Sequence, residues 1–211
     1  MSIKLTFSGH ESFQCRQLWL KKGYDFIKQG RKFTEEDAVV ELGVGKNMVA
    51  GISFWMKAFG MLDKDGELTE FADYILDSDE GKDPYFEDEA TLWLLHYQLV
   101  TQNIASTYNL IFNEYRREKI EFTKDNFIAF VLRKAEELNI SQINKNTVAT
   151  DFEVLTKMYI RTDSVAKPYC PAIKKAALLL LTIFYLSELL HQSVIHQNRI
   201  FYVLIKQFLV F

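Results

Sequence analysis

The chain is poor in the residues that crosslink or interrupt a fold. Two cysteines, Cys15 and Cys170, and three prolines occur in 211 residues. Two cysteines allow at most one disulfide, which excludes a disulfide-stapled scaffold. No Cys/His spacing resembles a zinc site. A Gly-rich phosphate loop, a nucleophile elbow and a Cys-based nucleophile pattern are also missing. The start, Ile3-Lys4-Leu5-Thr6-Phe7, alternates like a strand and lacks the apolar run of a leader, so a reducing cytoplasm is expected. The stretch from Ala176 to Leu190 is broken by Thr182, Ser187 and Glu188. It falls short of the roughly 20 apolar residues that span a bilayer, so no membrane association is expected.

Apolar residues make up 48% of the chain, enough for a core in one large or two small domains. The run from Ala38 to Ile52 reads as a helix-turn-helix. Val39, Gly43, Val49 and Ile52 put one apolar residue on a first helix, a glycine at the turn and two apolar residues on a second helix. The turn needs positive φ, which glycine adopts without a Cβ penalty. The second helix is expected over about 46–59. Met48, Val49, Ile52, Trp55, Met56 and Phe59 gather on one side of it, with Lys46, Asn47, Ala50, Phe54 and Lys57 on the other. Gly60 supplies a stop. Residues 61–69 read as strand, Asp65-Gly66 turn and strand, a wing with Lys64 near its tip. In such folds the second helix enters the DNA major groove. Double-stranded DNA is therefore the expected partner, through Lys46, Asn47, Ala50, Phe54, Lys57 and Lys64.

The polar run from Leu76 to Pro84 is the linker candidate and places a boundary near residue 80. The expected fold is mainly α. A winged helix-turn-helix domain with a small β hairpin (1–80) precedes an all-helical domain (81–211) that is truncated or atypical at its C-terminal end. Asp83-Pro84 signals a helix start. Residues 91–100 are apolar on nearly every face and read as a buried central helix, and further helices are expected at about 106–116, 124–138, 145–160 and 171–191. The pair 127–138 and 146–155 resembles a second helix-turn-helix with a longer turn. The tail from Ile200 to Phe211 is apolar to its end and must pack on the core or on a second copy, which admits a homodimer.

Charge is unevenly spread. Residues 1–60 carry +3, residues 61–91 carry −10 and residues 92–211 carry +4. The part holding the helix-turn-helix is mildly basic, which suits weak, salt-sensitive phosphate contact.

Candidates for chemistry are few. Asp79, Glu80, Asp83, Glu87, Asp88 and Glu89 form an acidic cluster, and Asp83, Glu87 and Asp88 are the weak candidates for holding Mg²⁺. Carboxylates at a helix start also interact favourably with its dipole, without any metal. His10, Glu11 and Arg16 form a second cluster, but adjacent residues of an extended chain point to opposite sides. His96 reads as a hydrogen-bonded core histidine.

The runs Phe7-Ser8-Gly9-His10-Glu11-Ser12-Phe13, Arg16 and Trp19-Leu20-Lys21-Lys22-Gly23 sit ahead of Leu42 to Val49 and of Trp55 with Ala58-Phe59-Gly60. Asp83-Pro84-Tyr85, Glu87-Asp88 and Thr91 to His96 follow. Together they resemble the bacterial domain-of-unknown-function family numbered 4007, closely over about 5–100 and more loosely through Asp151 and Tyr159 to about 190. The resemblance implies a cytoplasmic protein with winged-helix character, encoded beside DNA phosphorothioate-modification and phage-restriction genes. It also implies other modification-system proteins as partners, and a connection of members with DNA nicking. It assigns no catalytic residue and leaves the role of His10, Glu11 and Arg16 open. The tail from about Ser193 does not resemble the family. Three readings stand: a DNA-binding accessory or regulatory protein without cofactor, a DNA-nicking endonuclease using Mg²⁺ or Mn²⁺, and a protein-docking adaptor.

Overall fold

Helices carry the fold. A computed structural model describes residues 5–119, 123–140 and 143–159, all of them within one unit formed by residues 1–174. The order is α1 (Trp19–Lys28), α2 (Ala38–Glu41), α3 (Lys46–Ala58), α4 (Glu70–Leu76) and α5 (Glu89–Thr101). Then come α6 (Ser106–Asn109), a π-helical stretch (Leu110–Tyr115), α7 (Arg116–Glu118), α8 (Lys124–Glu137) and α9 (Lys145–Tyr159). The expected 171–191 helix and the apolar tail lie outside the described residues.

α3 forms where the apolar spacing places it. Val49, Ile52, Trp55 and Met56 are buried and Met48 is half-buried. Complete burial of Trp55, Ile52 and Met56 contributes roughly 1.5–3 kcal/mol each. α1 lies close against this face: a Cβ on Gly23 would sit 3.0 Å from Ile52 Cγ2 and from Met56 Cγ. Gly43 and Gly60 take φ of +59° and +70°, closing the turn before α3 and the stop after it.

α1 is tied to α4 by charge. The Tyr24 hydroxyl donates to Asp73 (2.6 Å) and to Asp77 (3.1 Å). Lys28 pairs with the same carboxylates, at 2.7 and 3.3 Å. Burial, then the bond to Asp73, pushes the Tyr24 phenol up to about 12. Backbone N–H groups of Asp79 and Glu80 hold Asp77 well below the usual carboxylate range. The buried Lys21 ammonium is satisfied by Asp25, the Leu76 carbonyl and Ser78 Oγ.

One core contains Trp55 of α3, Leu76 of α4, Leu99 of α5, Tyr108 of α6, Phe127 of α8 and Leu155 of α9. Residues 78–80, where the boundary was expected, are an exposed turn, and residues from both sides of it share that core. Beyond α5, Asn109 and Asn113 both donate to the Val100 carbonyl, at 2.8 and 2.9 Å, so the π-helical stretch is pinned to the end of α5.

Three expectations are corrected. First, no strand occurs among the described residues: the hairpin reduces to a single antiparallel bridge between Leu62 and Leu68. Asp63 Oδ1 accepts from the N–H groups of Asp65 and Glu67, so the segment is used up in its own turn. Second, the first helix of the pair is one turn long and buries Ala38, with Leu42 just past its end, while Val39 is exposed. Third, Asp83-Pro84 does not start a helix. Asp83 accepts from the N–H groups of Glu87 (2.8 Å) and Asp88 (3.0 Å), and the N-cap of α5 is Asp88, which accepts from Ala90.

Candidate functional site

The first turns of α3 present the expected surface. Lys46, Asn47 and Ala50 are exposed, Lys57 is half-buried further along, and Lys64 is exposed in the turn after the helix. None of these lysines has an acidic partner among the described residues. The N-cap is Gly45, with no side-chain cap and no acidic residue in the first turn. One cationic side chain, Lys46, and the open N–H groups therefore share the N-terminal end of α3, a setting that favours an anion, whereas Lys57 lies in the last turn and Lys64 beyond it. Lys22 is already engaged, donating to the Leu42 carbonyl at 2.9 Å behind α2.

Phe54 does not belong to this surface. Its ring fills the space where Gly9 lacks a side chain, 2.3 Å from the position a Cβ there would take. The ring also meets His10 edge-on, with centroids 5.8 Å apart. The segment before α1 thus covers the middle of α3 and leaves its first turns free.

That segment is held by a buried centre which the sequence does not announce. His10 is 1% exposed and stacks on Trp55 at 5.7 Å with an interplanar angle of 9°. Its Nε2 lies 3.2 Å from Asp151 Oδ1 of α9, within ion-pairing range but outside hydrogen-bond geometry. Asp151 is buried too. It accepts from the Ser8 N–H (3.0 and 3.2 Å) and from the Thr107 hydroxyl (3.3 Å), which compensates its desolvation. The Trp55 indole N–H donates to the Phe13 carbonyl at 3.0 Å, and Thr6 N–H donates to Ser106 Oγ at 2.8 Å. Ser8, Glu11 and Ser12 all have positive φ (68°, 51° and 64°). Such backbone is held only where its surroundings over-determine it. Glu11 and Arg16 are exposed on either side of Phe13, so the sequence cluster of His10, Glu11 and Arg16 separates into one buried and two exposed groups.

The acidic candidates are not arranged around a shared point. The Asp83 carboxylate is spent on two backbone donors and the Asp88 carboxylate on the Ala90 N–H, while Glu87 is exposed. Among the described residues no group of three or more His, Cys, Asp or Glu is placed to hold a metal ion. His96 is hydrogen-bonded as expected, its Nδ1 lying 2.7 Å from the Tyr159 hydroxyl, and desolvation lowers its pKa to about 4. No helix of the described residues is long and apolar enough to cross a membrane.

Comparison with solved structures finds two strong likenesses. One is a crystal structure of SspB, 29% identical with a TM-score of 0.69, covering 79% of this chain and 55% of that one. The other is a magnesium ion-bound crystal structure of SspB, 27% identical with a TM-score of 0.67, covering 82% and 55%. The chain therefore spans little more than half the length of these relatives. Comparison with curated proteins gives no match. A family model matches residues 7–181, and the chain belongs to that family, DUF4007, described as a protein of unknown function.

Proposed function

We propose that the chain is a DNA-binding accessory or regulatory component of a bacterial phosphorothioate-modification and phage-defence system. The observation that carries this reading is the free first half of α3. Lys46, Asn47 and Ala50 face solvent on a helix whose opposite side is anchored by Val49, Ile52 and Trp55. Seated in the major groove, that end offers two kinds of contact: Lys46 to phosphate, and the Asn47 amide to a base edge. Lys57 and the turn bearing Lys64 would meet the flanking backbone, the role a wing plays in winged helices, here with a single bridge in place of a ladder. Family membership and the likeness to SspB support the place in a modification system, with its other proteins as partners in the cytoplasm.

The test is a titration of duplex DNA at several salt concentrations. The full chain should bind in the micromolar range at moderate salt, as modest phosphate neutralisation gives. Lys46→Glu with Lys57→Glu should weaken binding at least tenfold and lower the salt slope by about two. Unchanged affinity would remove α3 from the interface.

A second reading, Mg²⁺- or Mn²⁺-dependent nicking, is favoured by the magnesium ion bound in one of the SspB structures. Supercoiled plasmid incubated with either ion separates the two readings, because only nicking produces open circles. Both predict binding, whereas a docking adaptor predicts none.

A further inference from the structure

Arg16 is the one exposed member of the His10, Glu11 and Arg16 cluster whose charge suits DNA. Its guanidinium lies over the Trp19 ring, 5.4 Å from the centroid, and it has no acidic partner among the described residues. Trp19 in turn is packed on α3. Its Cζ3 and Cη2 lie 3.4 and 3.7 Å from where a Cβ on Gly51 would be. The carbonyl of His10 reaches the same spot, at 3.3 Å. Gly51 stands one helical turn after Asn47, on the same flank of α3. The absence of a side chain at Gly51 therefore lets the segment before α1 close on α3 immediately beyond the exposed end, and Arg16 lies over the ring of the Trp19 that packs there.

From this juxtaposition we propose that Arg16 is a second, independent phosphate contact, gripping the DNA backbone beside the groove that α3 occupies. The proposal rests on the reading of α3 as the groove-binding helix. A helix about 10–12 Å across nearly fills a major groove about 12 Å wide, so groups on its flank meet the phosphate walls. A guanidinium suits that position, since its planar fork binds phosphate oxygens bidentately and its face stacks on an aromatic ring. The stack on Trp19 holds the fork in place before DNA arrives, which lowers the ordering cost of the contact. Glu11, exposed in the same segment, opposes the contact electrostatically, so the net effect of the segment depends on Arg16.

Anisotropy titrations of a labelled duplex with the full chain test this, comparing wild type, Arg16→Ala, Arg16→Lys and Lys46→Glu. Arg16 is exposed and its removal leaves the core intact. Arg16→Ala should weaken binding about tenfold and lower the salt slope by about one. Arg16→Lys should restore the slope but only part of the affinity, because it keeps the charge and loses the fork. If Lys46→Glu weakens binding while Arg16→Ala changes neither affinity nor slope, the Arg16 contact is overturned and the reading of α3 stands. If wild type shows no saturable binding, both fall together.

Discussion

On α3, Lys46, Asn47 and Ala50 face solvent without partners among the described residues, whereas His10 of the segment before α1 and Asp151 of α9 are almost wholly covered. The two regions touch: Gly9 lies under Phe54 and the His10 carbonyl against Gly51. One offers unspent polar groups at the surface. The other uses Asp151, Ser8 and Thr107 to lock a loop containing three non-glycine residues at positive φ. Free polar groups suit recognition, and an enclosed carboxylate satisfied by fixed donors, as Asp151 is, suits rigidity. The contrast assigns recognition to the start of α3 and scaffolding to the centre around Asp151.

The comparison is broken most forcefully at Asp151. Replacing it by alanine leaves the Ser8 N–H and the Thr107 hydroxyl unpaired in the interior, and should cost about 3 kcal/mol. A denaturant titration reads this as a lowered midpoint, and a midpoint within error of wild type would show the centre to be ornamental. Gly9→Val is next in size. Its side chain would displace the Phe54 ring, and overpacking of this kind costs about 2 kcal/mol. The same titration checks it, with Gly9→Ala expected to fall between valine and wild type. Asp83→Ala should cost about 1 kcal/mol through the loss of two loop N–H bonds. It should leave any metal-dependent nicking of plasmid unchanged, because that carboxylate is spent on closing its own loop. Abolished nicking with unchanged stability would reverse that assignment.

A further effect is one of pH. His96 is held neutral by burial, with a folded pKa of about 4 against an ordinary value of 6.5. Between those values the unfolded chain takes up a proton that the folded chain does not. Stability is therefore full above pH 6.5 and declines as the pH falls toward 4. Asp73 and Asp77, whose pKa values are also lowered, lose their contribution only below the ordinary carboxylate range. Denaturant midpoints at pH 7.5 and pH 5 should differ in wild type, and the difference should shrink in His96→Gln.

What could be read in the sequence follows the range of the forces involved. α3 was legible because Val49, Ile52, Trp55 and Met56 repeat at the helical period and Gly60 marks the stop. α2 was misread at Val39 because a single turn is too short for periodicity to choose a face. Asp83-Pro84 carries the composition of a helix start, yet an Asx-type loop needs the same residue for the same reason, a carboxylate facing free N–H groups. The wing was overestimated because two-residue arms around Asp65-Gly66 have no room for a ladder. The pairing of His10 with Asp151 was out of reach, since 141 positions of chain separate them and only tertiary packing brings them together. The covering of Phe54 by Gly9 was hidden for the same reason.

The central claim concerns which face of α3 meets DNA, and thiol protection addresses it directly. In a background of Cys15→Ser and Cys170→Ser, single cysteines are placed by Asn47→Cys on α3 and Asn146→Cys on α9. Their rates of modification are then measured with and without saturating duplex. The account predicts strong slowing at position 47 and an unchanged rate at position 146. Equal rates at position 47 with and without duplex would contradict it.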